Sequence, residues 1–231
     1  AEGYNEYVNR DSNFWNKYLE VPSMKKALEG KVNGKYVLDL GCGSGVSTGH
    51  LIEMGAKVVG IDISKKMIEI AKRNFPDNEF FVESMDNLHF ESDTFDVVAS
   101  SLALHYIQDL STVFAEVNRV LKENGRFIFS TGHPLFDVRE KVIVEGKKEY
   151  IIKPYFHNEM RKISMFDKEM EVETYHQTFS DITNGLIGAG FTIVKVVETQ
   201  PIPEGKKISP LDYEKTMNIP SFILFESVKN Q

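Results

Sequence analysis

The sequence predicts one α/β domain built around a mostly parallel sheet of seven strands. Three observations predict it. Short apolar runs alternate with amphipathic helical stretches from residue 35 to residue 130, the rhythm of right-handed strand–helix–strand crossovers. Within it, Tyr36–Val46 (Y-V-L-D-L-G-C-G-S-G-V) reads as a buried strand running into a glycine turn and then a helix. After residue 130 the rhythm breaks, and residues 131–178 read as an inserted antiparallel flap.

The elements follow in order. Residues 1–34 read as a helical lid on the main domain. Phe14, Trp15, Tyr18 and Leu19 fall at helical spacing, as do Met24, Ala27 and Leu28. Pro22 is expected to interrupt the two stretches, and Gly30 and Gly34 to end the second. Tyr4, Tyr7 and Trp15 are candidates to close over a ligand. Tyr36–Leu40 is strand one, Val46–Met54 a short helix and Lys57–Ile61 strand two. Ser64 caps a helix carrying Met67, Ile68, Ala71 and Phe75 on one face, stopped by Pro76. Glu79–Glu83 is strand three and Phe95–Ser100 strand four. Leu110, Val113, Phe114, Val117, Val120 and Leu121 form a continuous apolar helical stripe, with Asn124-Gly125 as its stop. Arg126–Ser130 is strand five. In the flap, Val142–Val144 and Tyr150–Ile152 flank a turn at residues 145–148, and Met170–Tyr175 is a further strand. Ser180–Ala189 is a helix and Phe191–Glu198 strand six. A loop follows through Pro201, Pro203, Pro210 and Pro220, and Phe222–Val228 is the last strand.

Composition narrows the function. A net charge of −7 and a pI near 5.5, without a Lys/Arg run, disfavour a nucleic-acid backbone or an anionic membrane surface as partner. The single cysteine, Cys42, precludes an intrachain disulfide, which fits a reducing compartment. No apolar run approaches the roughly 18 residues of a membrane span, and Ala1–Tyr7 lacks the pattern of a signal peptide. The expectation is a cytoplasmic monomer or homodimer acting on a small molecule.

The glycine loop narrows it further. A glycine turn after a parallel strand lies at the carboxyl edge of the sheet, where open α/β folds bind ligands. Gly41 and Gly43 fit the dinucleotide fingerprint, but its third glycine position holds Val46, and Gly45 comes one residue early. No Gly-Lys-Ser/Thr follows, so the loop is not a nucleotide triphosphate loop. Asp39 just before the loop repels a pyrophosphate and suits an ammonium group. Asp62 ends strand two, about twenty residues on, where an acid accepts from ribose hydroxyls. A ribose beside a cationic amino group points to S-adenosylmethionine.

V-L-D-L-G-C-G-S-G followed by V-V-G-I-D-I-S resembles the first two motifs of class I S-adenosylmethionine-dependent methyltransferases, of the "methyltransferase type 11" group that includes ubiquinone and menaquinone biosynthesis enzymes. S-M-D-N-L, F-D-V-V-A-S-S-L-A-L-H-Y and L-K-E-N-G-R-F-I-F-S resemble the later motifs, in order, over about residues 36–130. The tail, G-A-G-F then P-S-F-I-L-F, resembles the family's last helix and antiparallel strand pair. The resemblance implies a Rossmann-like doubly wound sheet of order 3-2-1-4-5-7-6 with the last strand antiparallel. It implies that Asp39 and the backbone of Gly41, Gly43 and Gly45 hold the amino acid end of the cofactor. It implies that Asp62 holds the ribose, Ile63 packs on the adenine, and Asp86 accepts from the adenine amino group with Met85 beside it. Ser100 and Leu102 would line the methyl-bearing sulfur, and Met67 completes the cofactor-binding candidates.

The acceptor is less constrained. An Asn/Asp-Pro-Pro-aromatic stretch of amino-directed nucleic-acid methyltransferases is absent; Ser100-Ser101-Leu102-Ala103 stands there. Cys42 lies inside the cofactor loop, where it reads as a small packing residue and not as a pyrimidine-attacking nucleophile. No H-x-x-x-H or C-x-x-C spacing suggests a metal. Candidate bases are His105, Tyr106 and His133, all just past strands four and five. His157 and His176 in the flap are weaker candidates, and Arg139, Lys153 and Arg161 could pair with an acidic substrate. The rival readings are an NAD-dependent oxidoreductase, opposed by Val46 and Asp39, and a non-catalytic S-adenosylmethionine-binding module.

Overall fold

The computed structural model describes residues 13–145, 147–156, 160–165 and 170–230. Tyr4, Tyr7 and His157 lie outside them. The chain enters through a π-helical turn, Asn16–Glu20, that runs without a break into α1 (Val21–Leu28). Then come β1 (Tyr36–Leu40), α2 (Val46–Glu53), β2 (Lys57–Asp62), α3 (Lys65–Asn74), β3 (Glu79–Val82), β4 (Phe95–Ser101), α4 (Leu110–Val120) and β5 (Leu121–Gly132). A short α5 (Pro134–Val138) leads into two hairpins, β6 (Arg139–Val144) with β7 (Lys147–Ile152) and β8 (Met160–Met165) with β9 (Met170–Tyr175). The chain ends with α6 (Phe179–Gly188), β10 (Phe191–Glu198), α7 (Gly205–Ile208), α8 (Pro210–Asn218) and β11 (Phe222–Lys229).

One seven-stranded sheet has the order β10-β11-β5-β4-β1-β2-β3. Counting only its own strands, this is the expected 3-2-1-4-5-7-6. β11 runs antiparallel to both neighbours, and the β1–β5 pairings are parallel. The topology brings the carboxyl ends of β1, β2 and β4 to one edge, where the strand order reverses.

The central strands are buried on both faces, which is why they read as near-continuous apolar runs. α4 packs Leu110, Val113, Phe114, Val117 and Val120 onto one face of the sheet, against Phe127, Phe129 and Phe191. Burying each such side chain stabilises the fold by about 1.5–3 kcal/mol of transfer free energy. On the other face Met24, Leu28 and Leu51 cover Val37, Val97, Ile128 and Leu224.

Four local expectations differ from the structure. Pro22 does not interrupt the first helix. The turn before it widens so that Val21 N–H reaches Asn16 O. The Tyr18 carbonyl four residues before Pro22, which a proline cannot serve, accepts instead from Ile202 N–H at 2.8 Å. Asn124-Gly125 is not a helix stop, because α4 already ends at Val120. The pair sits in a bulge of β5, where pairing with β4 jumps from Phe95↔Leu121 to Val97↔Arg126 and Asn124 takes φ 59°. In the flap Val144 pairs with Lys147, so β7 begins earlier than expected. β8, α5 and α8 were not apparent in the sequence. In α8, Pro210 occupies the first turn, which a proline favours, and Ser209 caps it by accepting from Asp212 N–H.

Candidate active site

The glycine loop turns the chain from β1 into α2. Gly41, Gly43 and Gly45 all have positive φ, at 77°, 55° and 91°. Gly41 has a second reason to be glycine: a Cβ there would lie 2.5 Å from Ala103 Cβ. Gly43 faces open space, since a Cβ there would meet nothing within 4 Å. The loop is pinned to the end of β2. Gly41 and Cys42 both donate to Ile61 O at 2.9 and 2.8 Å, Gly43 donates to Asp62 Oδ2 at 3.0 Å, and Gly45 donates to Cys42 O at 2.9 Å. An anion-binding loop aims such N–H groups at its ligand. Here four of them are consumed internally.

Carboxylates surround the loop instead. Asp39 is fully buried and accepts from Thr48 Oγ1 at 2.6 Å through Oδ2, while Oδ1 has no hydrogen-bond partner. Burial, followed by the nearby Asp62 and Glu20 and opposed by the Thr48 and Ser47 hydrogen bonds, pushes its carboxyl up to about 7. Asp62 accepts from Ser64 N at 2.8 Å and Gly43 N at 3.0 Å, so it braces the loop as well as facing it; burial raises its pKa. Burial also raises the Cys42 thiol, which stays protonated and packs with Ile68, Ala71 and Phe80. That is a packing residue's environment.

A cavity of about 380 Å³ opens beside the loop. Gly41, Cys42, Gly43, Ser44, Val46, Ser47 and His50 form one wall, and the π-helical turn with α1 (Asn16, Lys17, Tyr18, Glu20, Val21, Met24) forms the other; Ser101 and Leu102 close the end at β4. Leu102 holds φ 50°, a left-handed backbone that costs a leucine about 1–2 kcal/mol. Its N–H bridges to Ser130 O and Ser130 Oγ, both at 3.2 Å, which hold the strained turn.

One lining residue is missing from the sequence reading. Glu20 is 1% exposed, and its Oε1 accepts from Ser101 Oγ and Ser130 Oγ at 2.6 Å each. Its partners lie 81 and 110 residues away, so nothing local announces it. The one sequence signal is an acid standing between two apolar residues, Leu19 and Val21.

The other expected site residues fall as follows. Ile63, an isoleucine 74% exposed beside Asp62, presents the apolar surface a purine would cover. Met67 is half-buried in the first turn of α3, its N–H donated to Ser64 Oγ at 3.4 Å. Met85 is half-buried, and its methyl lies 3.3 Å from where a Gly41 Cβ would be. Asp86 is exposed in the loop after β3. The Ser100 side chain cannot line a ligand site, because it is fully buried and donates to Leu40 O at 2.8 Å. Ser101 borders the cavity in its place. His105 and Tyr106 stand on a single 3₁₀ turn after β4, their rings 4.3 Å apart. His105 borders a second, small void with Thr131, Tyr175 and Gln177. His133 is buried between α5 and β10. Its Nδ1 accepts from Leu135 N at 3.2 Å to cap α5, and its Nε2 meets Glu198 Oε1 at 3.1 Å, so both ring nitrogens are engaged. His176 is buried with Nε2 against Tyr155 O at 2.8 Å. Arg139 stacks on Phe136 at 3.8 Å, and Lys153 pairs with Glu140 at 3.0 Å. Trp15 packs edge-on to Phe14 and under Lys215. Among the described residues no helix is long and apolar enough to cross a membrane, and no group of three His, Cys, Asp or Glu could hold a metal ion.

Comparison with known proteins agrees with this geometry. Residues 38–129 match the family model described as a methyltransferase domain. The fold superposes with TM-score 0.80 on a crystal structure assigned as an S-adenosylmethionine-dependent methyltransferase from Listeria monocytogenes, 36% identical and covering 92% of this chain and 97% of that one. An S-adenosylmethionine-dependent methyltransferase from Mesorhizobium loti gives a TM-score of 0.78 at 30% identity, covering 90% and 96%. A demethylmenaquinone methyltransferase from Chlorobaculum tepidum is 33% identical over 68% of this chain and 61% of its own. With the pinned glycine loop, the acids around it and the cavity beside it in the expected places, this chain belongs to the S-adenosylmethionine-dependent methyltransferase family.

Proposed function

We propose that the protein transfers a methyl group from S-adenosylmethionine to a small-molecule acceptor, with no metal in the reaction. The observation that carries the reading is the loop chemistry. Four loop N–H groups are spent internally beside Asp39, Asp62 and Glu20, so the loop favours a cation over a phosphate. The residues fit the cofactor: Asp39 keeps a buried, unpartnered carboxylate oxygen next to the loop, and Gly43 leaves open space in front of it. The same features speak against NAD, whose pyrophosphate would meet carboxylates instead of free amides.

In this reading Asp39 and the backbone of Gly41, Gly43 and Gly45 hold the amino acid end, with the ammonium at Asp39, Asp62 holds the ribose, Ile63, Met67 and Met85 the adenine faces, and Asp86 the adenine amino edge. Leu102 and Ser101 line the sulfur. Bound there, the cofactor supplies a methyl on a positively charged sulfur: the acceptor's lone pair forms the new bond to carbon, the C–S bond breaks, and its electron pair stays on sulfur as a neutral thioether. The protein supplies alignment and a dry site. His105 and Tyr106, next to the β4 end, are the candidates to take a proton from an acceptor that must lose one. His133 is left out because its Nδ1 lone pair is committed.

The acidic chain supports a small acceptor over a nucleic acid. The demethylmenaquinone methyltransferase relative makes demethylmenaquinone the first acceptor to assay. The test is incubation with methyl-labelled cofactor and separate pools of small molecules, RNA and protein. Label is expected in a small-molecule product; label in RNA or protein alone would contradict the reading.

A further inference from the structure

Glu20 is the buried carboxylate that this account leaves without a task. It lies on the wall opposite the glycine loop, bordering the same cavity as Gly41, Ser101 and Leu102. Two serine hydroxyls, from the ends of β4 and β5, both bind its Oε1. Among the described residues no Lys, Arg or His pairs with Glu20. A carboxylate taken out of water with two neutral donors on one oxygen lacks a counterion. Its position says where that counterion would come from. Ser130 Oγ, which donates to Glu20, also accepts Leu102 N–H, so the carboxylate is tied to the residue that turns the chain past β4.

We propose that Glu20 is the counterion of the cofactor's sulfonium, and that it biases the site toward the methyl-bearing form over the demethylated thioether. The inference rests on the cofactor orientation proposed above, with the ammonium end at Asp39 and the sulfur at the β4 end. The ammonium is common to both forms. Only the charge on sulfur differs, and that difference falls on the side of the cavity Glu20 occupies. Methyl transfer leaves Glu20 facing a neutral sulfur inside a buried wall, which favours departure of the product.

The test compares two affinities on one protein. Dissociation constants for S-adenosylmethionine and S-adenosylhomocysteine are measured by calorimetry on the wild type and on Glu20→Gln, which keeps an oxygen for both serines and removes the charge. The expected result is about tenfold weaker S-adenosylmethionine binding with S-adenosylhomocysteine changed less than about twofold. An equal loss for both ligands would overturn the proposal, because it would mean a contact to shared atoms or a brace of the helix. No change for either would also overturn it. If the wild type binds neither, the cofactor reading fails first and the inference with it. A measurement on the wild type alone covers the case in which the variant does not fold. Lys17, Lys25 and His50, which line the cavity, and Asp39 and Asp62 beside the loop meet both ligands alike, so the ratio of the two dissociation constants isolates the sulfur. That ratio should shift about tenfold against S-adenosylmethionine as the pH is lowered and Glu20 takes up a proton, burial having raised its pKa. A constant ratio would count against the proposal.

Discussion

The cofactor edge and the flap of this chain are built in opposite ways. At the edge, a contiguous stretch from Tyr36 to Asp62 supplies strand, loop, helix and second strand, and the loop's own N–H groups lock it to β2. Val37, Leu38 and Leu40 beneath it are fully buried. In the flap, the β6–β7 hairpin exposes Ile143 and Ile152 at 63% and 56%, and Phe156 beyond it is 88% exposed. One region is rigid because its loop N–H groups are answered inside the motif, by Cys42, Ile61 and Asp62. The other leaves apolar surface facing outward, as a region does when its shape is set by what it meets. The difference shows that the cofactor edge is a property of the motif, and the flap a property of the assembled fold.

The comparison can be broken first at Gly41. Gly41→Val adds side-chain atoms against Ala103 and forces a branched residue to φ 77°. Overpacking and left-handed strain together should cost about 2–5 kcal/mol. Thermal unfolding should show it, and calorimetry should find binding of S-adenosylhomocysteine weakened at least about a hundredfold. Near-normal binding would mean the loop is not the tight element described.

Asp39 comes next. Its folded pKa of about 7 stands above the ordinary 3.8, so its contribution to stability is fully present below pH 3.8 and is lost as pH rises through about 7. In the free protein the loss approaches the order of 4 kcal/mol. Asp39→Asn should remove most of that slope and raise the melting temperature at pH 8, while weakening S-adenosylhomocysteine binding about ten- to a hundredfold. Glu20 and Asp62 shift in the same direction and leave a residual slope. Denaturant titrations of both proteins from pH 4 to pH 8 measure it. Parallel stability curves would show that Asp39 ionises freely.

His133 and the flap should show smaller effects. His133→Ala removes the cap of α5 and the contact to Glu198, costing about 1–2 kcal/mol of stability. S-adenosylhomocysteine affinity should stay within about twofold. Ile152→Ser on the exposed flap should change stability by less than about 0.5 kcal/mol and leave cofactor affinity alone. If it raises the KM for an acceptor, the flap is sharpened as the acceptor wall.

The legibility of the sequence follows the same division. The strands, the glycine loop and the Ser64 cap were readable because period, turn chemistry and capping are local, while the strand order came with the family resemblance. Pro22 misled because its unserved carbonyl is rescued by Ile202, far along the chain. Ser100 was named where Ser101 borders the cavity because alternation along a strand fixes two faces, and only the assembled edge shows which one opens to the cavity. Glu20 escaped because its meaning lies in two serines on distant strands. His133 looked like a base because its place at the sheet edge is readable and its two engaged nitrogens are not.

The central claim is that the loop among Asp39, Asp62 and Glu20 is a site for a cationic adenosyl cofactor. Calorimetric titration of the wild-type protein with S-adenosylhomocysteine and with NAD tests it most directly. The account predicts saturable one-to-one binding of S-adenosylhomocysteine and none of NAD. Binding of NAD without binding of S-adenosylhomocysteine would contradict it.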